Sequence, residues 1–180
     1  MARIELVKPE NMTPAEKVIY QRFPSNIVRG LLKTKNCAPA YAALGSSLRN
    51  LFLTPKDTEF VIIRVAYMSN SQYELMQHRH LALRQGWREE DIAAIAENNL
   101  EYFERRMQTI LNYVNECVER VKVSRTVFAA AREYLSESEI AELTLLIGHY
   151  MLTARFLESL EIDLDEKPTS WDNVQLTTDR

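Results

Sequence analysis

Apolar residues recur at helical spacing along most of this chain, and the breaks between them fall where helices start and stop. Phe103, Met107, Ile110, Leu111, Val114 and Val118 predict one long amphipathic helix over 100–121. Ser136-Glu137-Ser138-Glu139 is a capping box ahead of Ile140, Leu143, Leu146, Ile147, Tyr150 and Met151, a second periodic helix expected to end near Leu160. Thr13-Pro14 and Thr54-Pro55 each set a capping side chain before a proline suited to a first helical turn, with acids following at Glu16, Asp57 and Glu59. Gly86 ends the helix that carries His78, and Arg88-Glu89-Glu90-Asp91 opens the next with acids at its positive end. The β-branched run Val61-Ile62-Ile63-Arg64-Val65 admits a buried strand as the alternative, but the upstream proline start and the lack of partner strands argue for helix. Beyond Asp163 the chain turns polar and contains Lys167-Pro168-Thr169-Ser170, so residues 163–180 are expected to be an extended C-terminal tail, with Trp171 available to dock on a neighbouring surface.

Composition narrows this to one all-α domain over residues 1–180. A chain of 180 residues with 46% hydrophobic and 26% charged content supports one full core and is short for two, and four glycines and six prolines suit long helices with short joints. The formal net charge of −3 and the pI of about 5.7 give no electrostatic reason to expect nucleic acid. No apolar block of signal-peptide length opens the chain and none later approaches a membrane span, so a soluble cytoplasmic protein is expected. Cys37 and Cys117 form neither a disulfide framework nor a metal-type spacing and are read as inert thiols in a reducing compartment. Three histidines without a ligand spacing predict no metal, and no cofactor is expected.

The chemistry concentrates in Ser71-Gln72-Tyr73-Glu74-Leu75-Met76-Gln77-His78. Glu74 and His78 lie four apart and share a helix face, where a carboxylate can orient and charge an imidazole to give an acid–base couple. Two plainer readings stand beside that one. Ser71-x-x-Glu74 is itself a capping box, and a Glu–His pair at this spacing is often an exposed ion pair contributing about 0.3–0.5 kcal/mol. His80 and His149 lack comparable carboxylate spacing and are read as surface or core contacts, and Tyr73 and Tyr150 as amphipathic core residues.

The run Glu59-Phe60-Val61-Ile62-Ile63-Arg64-Val65-Ala66 leading into Tyr73-Glu74, His78 and Gly86 resembles the carboxymuconolactone decarboxylase and alkylhydroperoxidase superfamily. Asn26-Ile27-Val28-Arg29-Gly30-Leu31-Leu32, Pro39, Val123-Ser124, Ala129-Ala130-Ala131 and the stretch from Glu142-Leu143 to Gly148-His149-Tyr150 extend the resemblance over nearly the whole chain. It implies a helical bundle that assembles into homo-oligomers, commonly trimers or hexamers, with the active site near subunit contacts. The peroxidase branch carries Cys-x-x-Cys, a histidine four residues after the second cysteine and a glutamate twelve before the first. Those positions hold Ser71, Glu74, His78 and Glu59 here, so the redox pair is absent while the proton-handling residues remain. The decarboxylase branch has glutamate and histidine at the positions of Glu74 and His78, and this chain is the more similar to it; that branch often has tryptophan where this chain has Leu75.

The resemblance implies proton transfer beside a carbonyl or lactone by a cofactor-free carbon–carbon lyase or isomerase acting on a small molecule. His78 is the candidate acid–base residue, Glu74 its orienting carboxylate, and Glu59 a second proton carrier or anchor. Arg64 is a candidate for gripping a substrate carboxylate, with Ser71 and Tyr73 as further binding residues. An alkylhydroperoxidase-like antioxidant enzyme and a noncatalytic ligand-binding or assembly protein remain the alternatives.

Overall fold

The two Thr-Pro starts do what their chemistry dictates. In the computed structural model, which describes residues 1–169, Thr13 caps α1 (Pro14–Arg22) through a complete capping box with Glu16, and the Thr54 side chain accepts from the Asp57 amide at the head of α4 (Pro55–Met68). Between them lie α2 (Asn26–Leu31) and α3 (Cys37–Ser47). After α4 come α5 (Gln72–Arg84), α6 (Glu89–Ala96), α7 (Arg105–Arg120), α8 (Arg125–Tyr134) and α9 (Glu137–Ser159), and no strand occurs among the described residues. Gly86 takes a φ of +87°, the left-handed turn that stops α5. Ser136 and Glu139 close the predicted capping box on α9, whose last turn is capped by Leu160.

Helix α4 is the central element, packed against α5, α6, α7 and α9. Phe60, Val61, Ile63, Val65 and Ala66 are wholly enclosed, so the β-branched run reflects burial on all sides of one helix and not a strand. Each such side chain contributes roughly 1.5–3 kcal/mol relative to exposure.

The single helix expected over 100–121 is interrupted. A 3-10 turn, Leu100–Tyr102, precedes Phe103, whose extended backbone (φ −106°, ψ 152°) starts a break before α7. Phe103 packs edge-on to Phe60 at 5.2 Å, and its carbonyl accepts from the Gln108 side chain at 2.7 Å, so an aromatic anchor overrides helical periodicity there.

By length and composition alone α9 could cross a membrane, contrary to the expectation that no segment approaches a span. Leu143, Leu146 and Ile147 are fully buried on it, and its apolarity serves the core.

A second apolar cluster joins Met12, Ile27, Val28, Leu31, Leu32 and Ala38 to Tyr73, Leu157 and Ile162. Residues 163–169 carry no regular structure, as a tail should, yet they are tied down: Asp165 accepts from the Asn26 amide, the Tyr73 hydroxyl and Gln77, and the buried Thr169 donates its amide to Gln77. Trp171 and the rest of 170–180 lie outside the described residues.

Candidate active site

Where the two apolar clusters meet, α1, α3, α4, α5 and α9 leave a cavity of about 510 Å³. The surface it exposes is mostly apolar, and Glu59, Glu74, His78, His149, Tyr41 and Tyr150 are among the residues that line it. A mostly apolar hollow with a few convergent polar groups is the usual form of a small-molecule site.

His78 Nδ1 meets Glu59 Oε2 at 3.0 Å, with both side chains nearly buried. The carboxylate holding Nδ1–H leaves Nε2 as the nitrogen able to take or give a proton. The carboxylate that meets His78 is thus Glu59 of α4, and not Glu74, the residue at helical spacing on α5.

Glu74 is 2% exposed, and neither of its carboxylate oxygens has a hydrogen-bond partner among the described residues. Burial, reinforced by the charge of Glu158, pushes its pKa well above the usual carboxylate range and so favours its neutral form. The capping-box reading of Ser71 and Glu74 fails as well. Ser71 occupies the N-cap position of α5, but its hydroxyl makes no cap bond and is buried without a partner.

The structure also moves Arg64 away from the proposed substrate role. Its guanidinium bonds Asn115 Oδ1 at 2.8 Å and the Ile95 and Ala96 carbonyls at 2.9 and 3.0 Å, at the C-terminal turn of α6, and it does not line the cavity. Tyr73 does line it, with its hydroxyl committed to Asp165 and to the Ile27 amide. Cys37 is exposed, Cys117 is buried with its thiol pKa raised by burial, and neither lines the cavity.

No protein-family model matches the sequence, and no curated protein matches it. Solved structures do match. An alkylhydroperoxidase AhpD core, an uncharacterized peroxidase-related protein from Ralstonia eutropha, aligns with a TM-score of 0.79 at 14% identity over 92% of this chain and 93% of that one. The chain has the AhpD-like fold. An uncharacterized peroxidase-related protein from Silicibacter sp. aligns at a TM-score of 0.74 and 10% identity over 91% and 89% of the two chains. A cysteine-to-alanine variant of the debrominase Bmp8, in complex with 2,3,4-tribromopyrrole, aligns at a TM-score of 0.71 and 13% identity over 92% of this chain and 95% of that one.

Within this AhpD-like bundle, the cavity is also lined by Tyr41, which sequence reasoning passed over, and by His149, read there as a surface or core contact. Tyr41 comes from α3 and stacks on His149 of α9 at a ring separation of 4.8 Å. Tyr150 lies edge-on to both imidazoles, 5.0 Å from His78 and 5.3 Å from His149. Desolvation, with a smaller effect of His78, lowers the His149 pKa to about 4, so this imidazole is neutral near pH 7. Burial raises the pKa of Tyr41 and Tyr150, and both phenols stay protonated. Helical spacing finds partners on one helix; nothing in the sequence pattern pairs α3 with α9.

Proposed function

We propose that this protein is a cofactor-free acid–base enzyme of the carboxymuconolactone decarboxylase type, a carbon–carbon lyase or isomerase acting on a small carboxylated or lactone-type molecule. The observation that supports this reading is one cavity holding two proton carriers in different environments: His78, held by Glu59 at 3.0 Å, and Glu74, buried without a partner among the described residues so that its protonated form is favoured. An imidazole with one nitrogen held and a carboxyl whose burial favours the acid make a base and an acid available together. His78 Nε2 takes a proton from the carbon beside a carbonyl, and the C–H electron pair moves into the carbonyl to give an enolate. In a decarboxylation the enolate arises instead as the C–C electron pair stays behind and carbon dioxide leaves. Glu74 or protonated His78 then returns a proton to carbon, restoring the carbonyl.

The alkylhydroperoxidase alternative lacks its chemistry at this place, since Ser71 and Glu74 stand where the peroxidase branch keeps thiols and neither cysteine lines the cavity. Leu145 and Leu152 lie exposed on the same helix as His149, which fits the proposed homo-oligomer with a site near a subunit contact.

The test is to incubate the protein with β-keto acids and carboxylated γ-lactones in D2O. Carbon dioxide release and α-deuteration are followed by NMR for the wild type, His78→Ala and Glu59→Gln. Turnover in the wild type that the variants lose supports the reading. Turnover equal in His78→Ala overturns it, as does peroxide reduction that disappears in a Cys37→Ser, Cys117→Ser double variant.

A further inference from the structure

His149 is 7% exposed and lines the cavity, yet neither ring nitrogen has a hydrogen-bond partner among the described residues. Its ring is nevertheless held in place. Tyr41 stacks on it with planes 30° apart, and Tyr150 stands edge-on at 87°. Thr153 donates its hydroxyl hydrogen to the His149 carbonyl at 2.8 Å, so the 2.6 Å contact between Tyr41 and Thr153 is donated by the tyrosine, which fixes the stack to α9. An oriented imidazole whose nitrogens face a cavity offers its hydrogen bond to whatever fills that cavity, water or a ligand.

A second observation comes from α3. Gly45 lies inside this helix, where glycine is a poor choice, and its φ needs no glycine. A Cβ there would make only an ordinary contact, 3.7 Å from His149 Nε2, so packing does not demand glycine either. What the missing methyl preserves is the approach to that nitrogen.

Resting on the acid–base reading above, we propose that His149 is a substrate-binding residue, presenting an imidazole N–H to the carbonyl oxygen of a lactone or keto acid, and that Gly45 keeps it reachable. The neutrality of the ring agrees with this, because an imidazole held at a pKa of about 4 donates without becoming an acid itself. A carbonyl oxygen held there would gain negative charge as His78 takes the proton from the neighbouring carbon, and a fixed donor stabilises that charge.

The experiment uses the full chain and γ-butyrolactone-3-carboxylate as the probe. Long-range ¹H–¹⁵N spectra report the His149 ring nitrogens during titration, calorimetry gives Kd, and α-deuteration in D2O is followed on the same samples. The expected result is a shift of the His149 ring ¹⁵N signals on binding. Kd should rise about tenfold in His149→Phe, the scale of one lost hydrogen bond, and stay within about threefold in His149→Gln, which keeps an N–H. Gly45→Ala should raise Tm and yet weaken binding, opposite signs that a purely structural glycine does not give. The proposal is overturned by unmoved His149 signals, by equal affinity in His149→Phe, by equal loss in the Phe and Gln variants, or by absence of probe binding. Binding through His149 without any α-deuteration sinks the acid–base reading and keeps this assignment; α-deuteration indifferent to His149→Phe does the reverse.

Discussion

Asp57 and Glu59 stand two positions apart on α4 and face different regions of the molecule. Asp57, 4% exposed, receives both terminal nitrogens of Arg106 from α7 at 2.9 Å each, and its amide is capped by Thr54. Two turns along, Arg64 is likewise spent on Asn115 and two carbonyls. On the cavity side, Glu59 meets His78 through one oxygen, while the Glu74 carboxyl has no hydrogen-bond partner among the described residues and the His149 ring is held by aromatic contacts. The first region is a satisfied network that fixes α7 and α6 on the central helix. The second leaves hydrogen-bonding capacity unspent at a cost in stability, which is how a binding site differs from a structural one.

The sharpest break of this comparison is functional. His78→Ala and Glu59→Gln should each lower turnover about 10²–10⁴-fold, the range for a lost acid–base group, with a double variant little worse than either and helix content unchanged. Asp57→Ala should do the opposite. It strips Arg106 of a buried partner and is expected to cost about 3 kcal/mol in urea unfolding, the low end for a broken buried pair because the Arg106 side chain keeps 27% of its surface exposed. Its turnover per folded molecule should match the wild type. A stability loss of similar size in Glu59→Gln would erase the distinction between the two regions.

Glu74→Met should raise stability while removing activity, since the unpartnered carboxyl costs about 1–3 kcal/mol. The pH dependence supplies the sign. Burial holds the folded-state pKa of Glu74 above its unfolded value, so between the two the folded protein binds the extra proton and stability falls as pH rises. The gain in Glu74→Met should therefore be smallest below about pH 4 and grow above it. His149 slopes the other way: its folded pKa of about 4 lies below the ordinary 6.5, so its contribution is lost as pH falls through that window, and His149→Phe should flatten this loss. Equal pH profiles in all three proteins would show that neither group is desolvated as described.

The sequence made the fold legible wherever a local rule applied. Thr13, Thr54 and Ser136 cap the amides of Glu16, Asp57 and Glu139, three residues on, and Gly86 turns where only glycine turns easily. It failed at Phe103, whose ring is claimed by Phe60, a contact no helical period contains. The site followed the same division. Glu74 and His78 were readable from helical spacing and Glu59 from the family resemblance, and all three line the cavity, but the pairing was not readable, because the i, i+4 rule sees only α5 while Glu59 arrives from α4. Arg64 reads in the sequence either as a grip for a substrate carboxylate or as part of an internal network, and spacing cannot choose; the structure spends it on the end of α6. His149 and Tyr41 are brought together by tertiary packing alone.

The smallest expected effect controls the comparison. Arg79 places two guanidinium nitrogens on one Glu89 oxygen, at 3.0 and 2.6 Å, contacts as short as those between Arg106 and Asp57. Both side chains are about half exposed, 57% and 51% of their surface, so water already solvates each charge and the pair replaces favourable hydration with little gain. Arg79→Ala should change the urea midpoint by less than about 0.5 kcal/mol equivalent and shift less still in high salt. A loss above about 1 kcal/mol would mean that short contact geometry, not enclosure, sets the worth of these pairs. The contrast between Asp57 and the cavity would then rest on distance alone, and the unspent groups around His78 would lose their standing as the mark of a site.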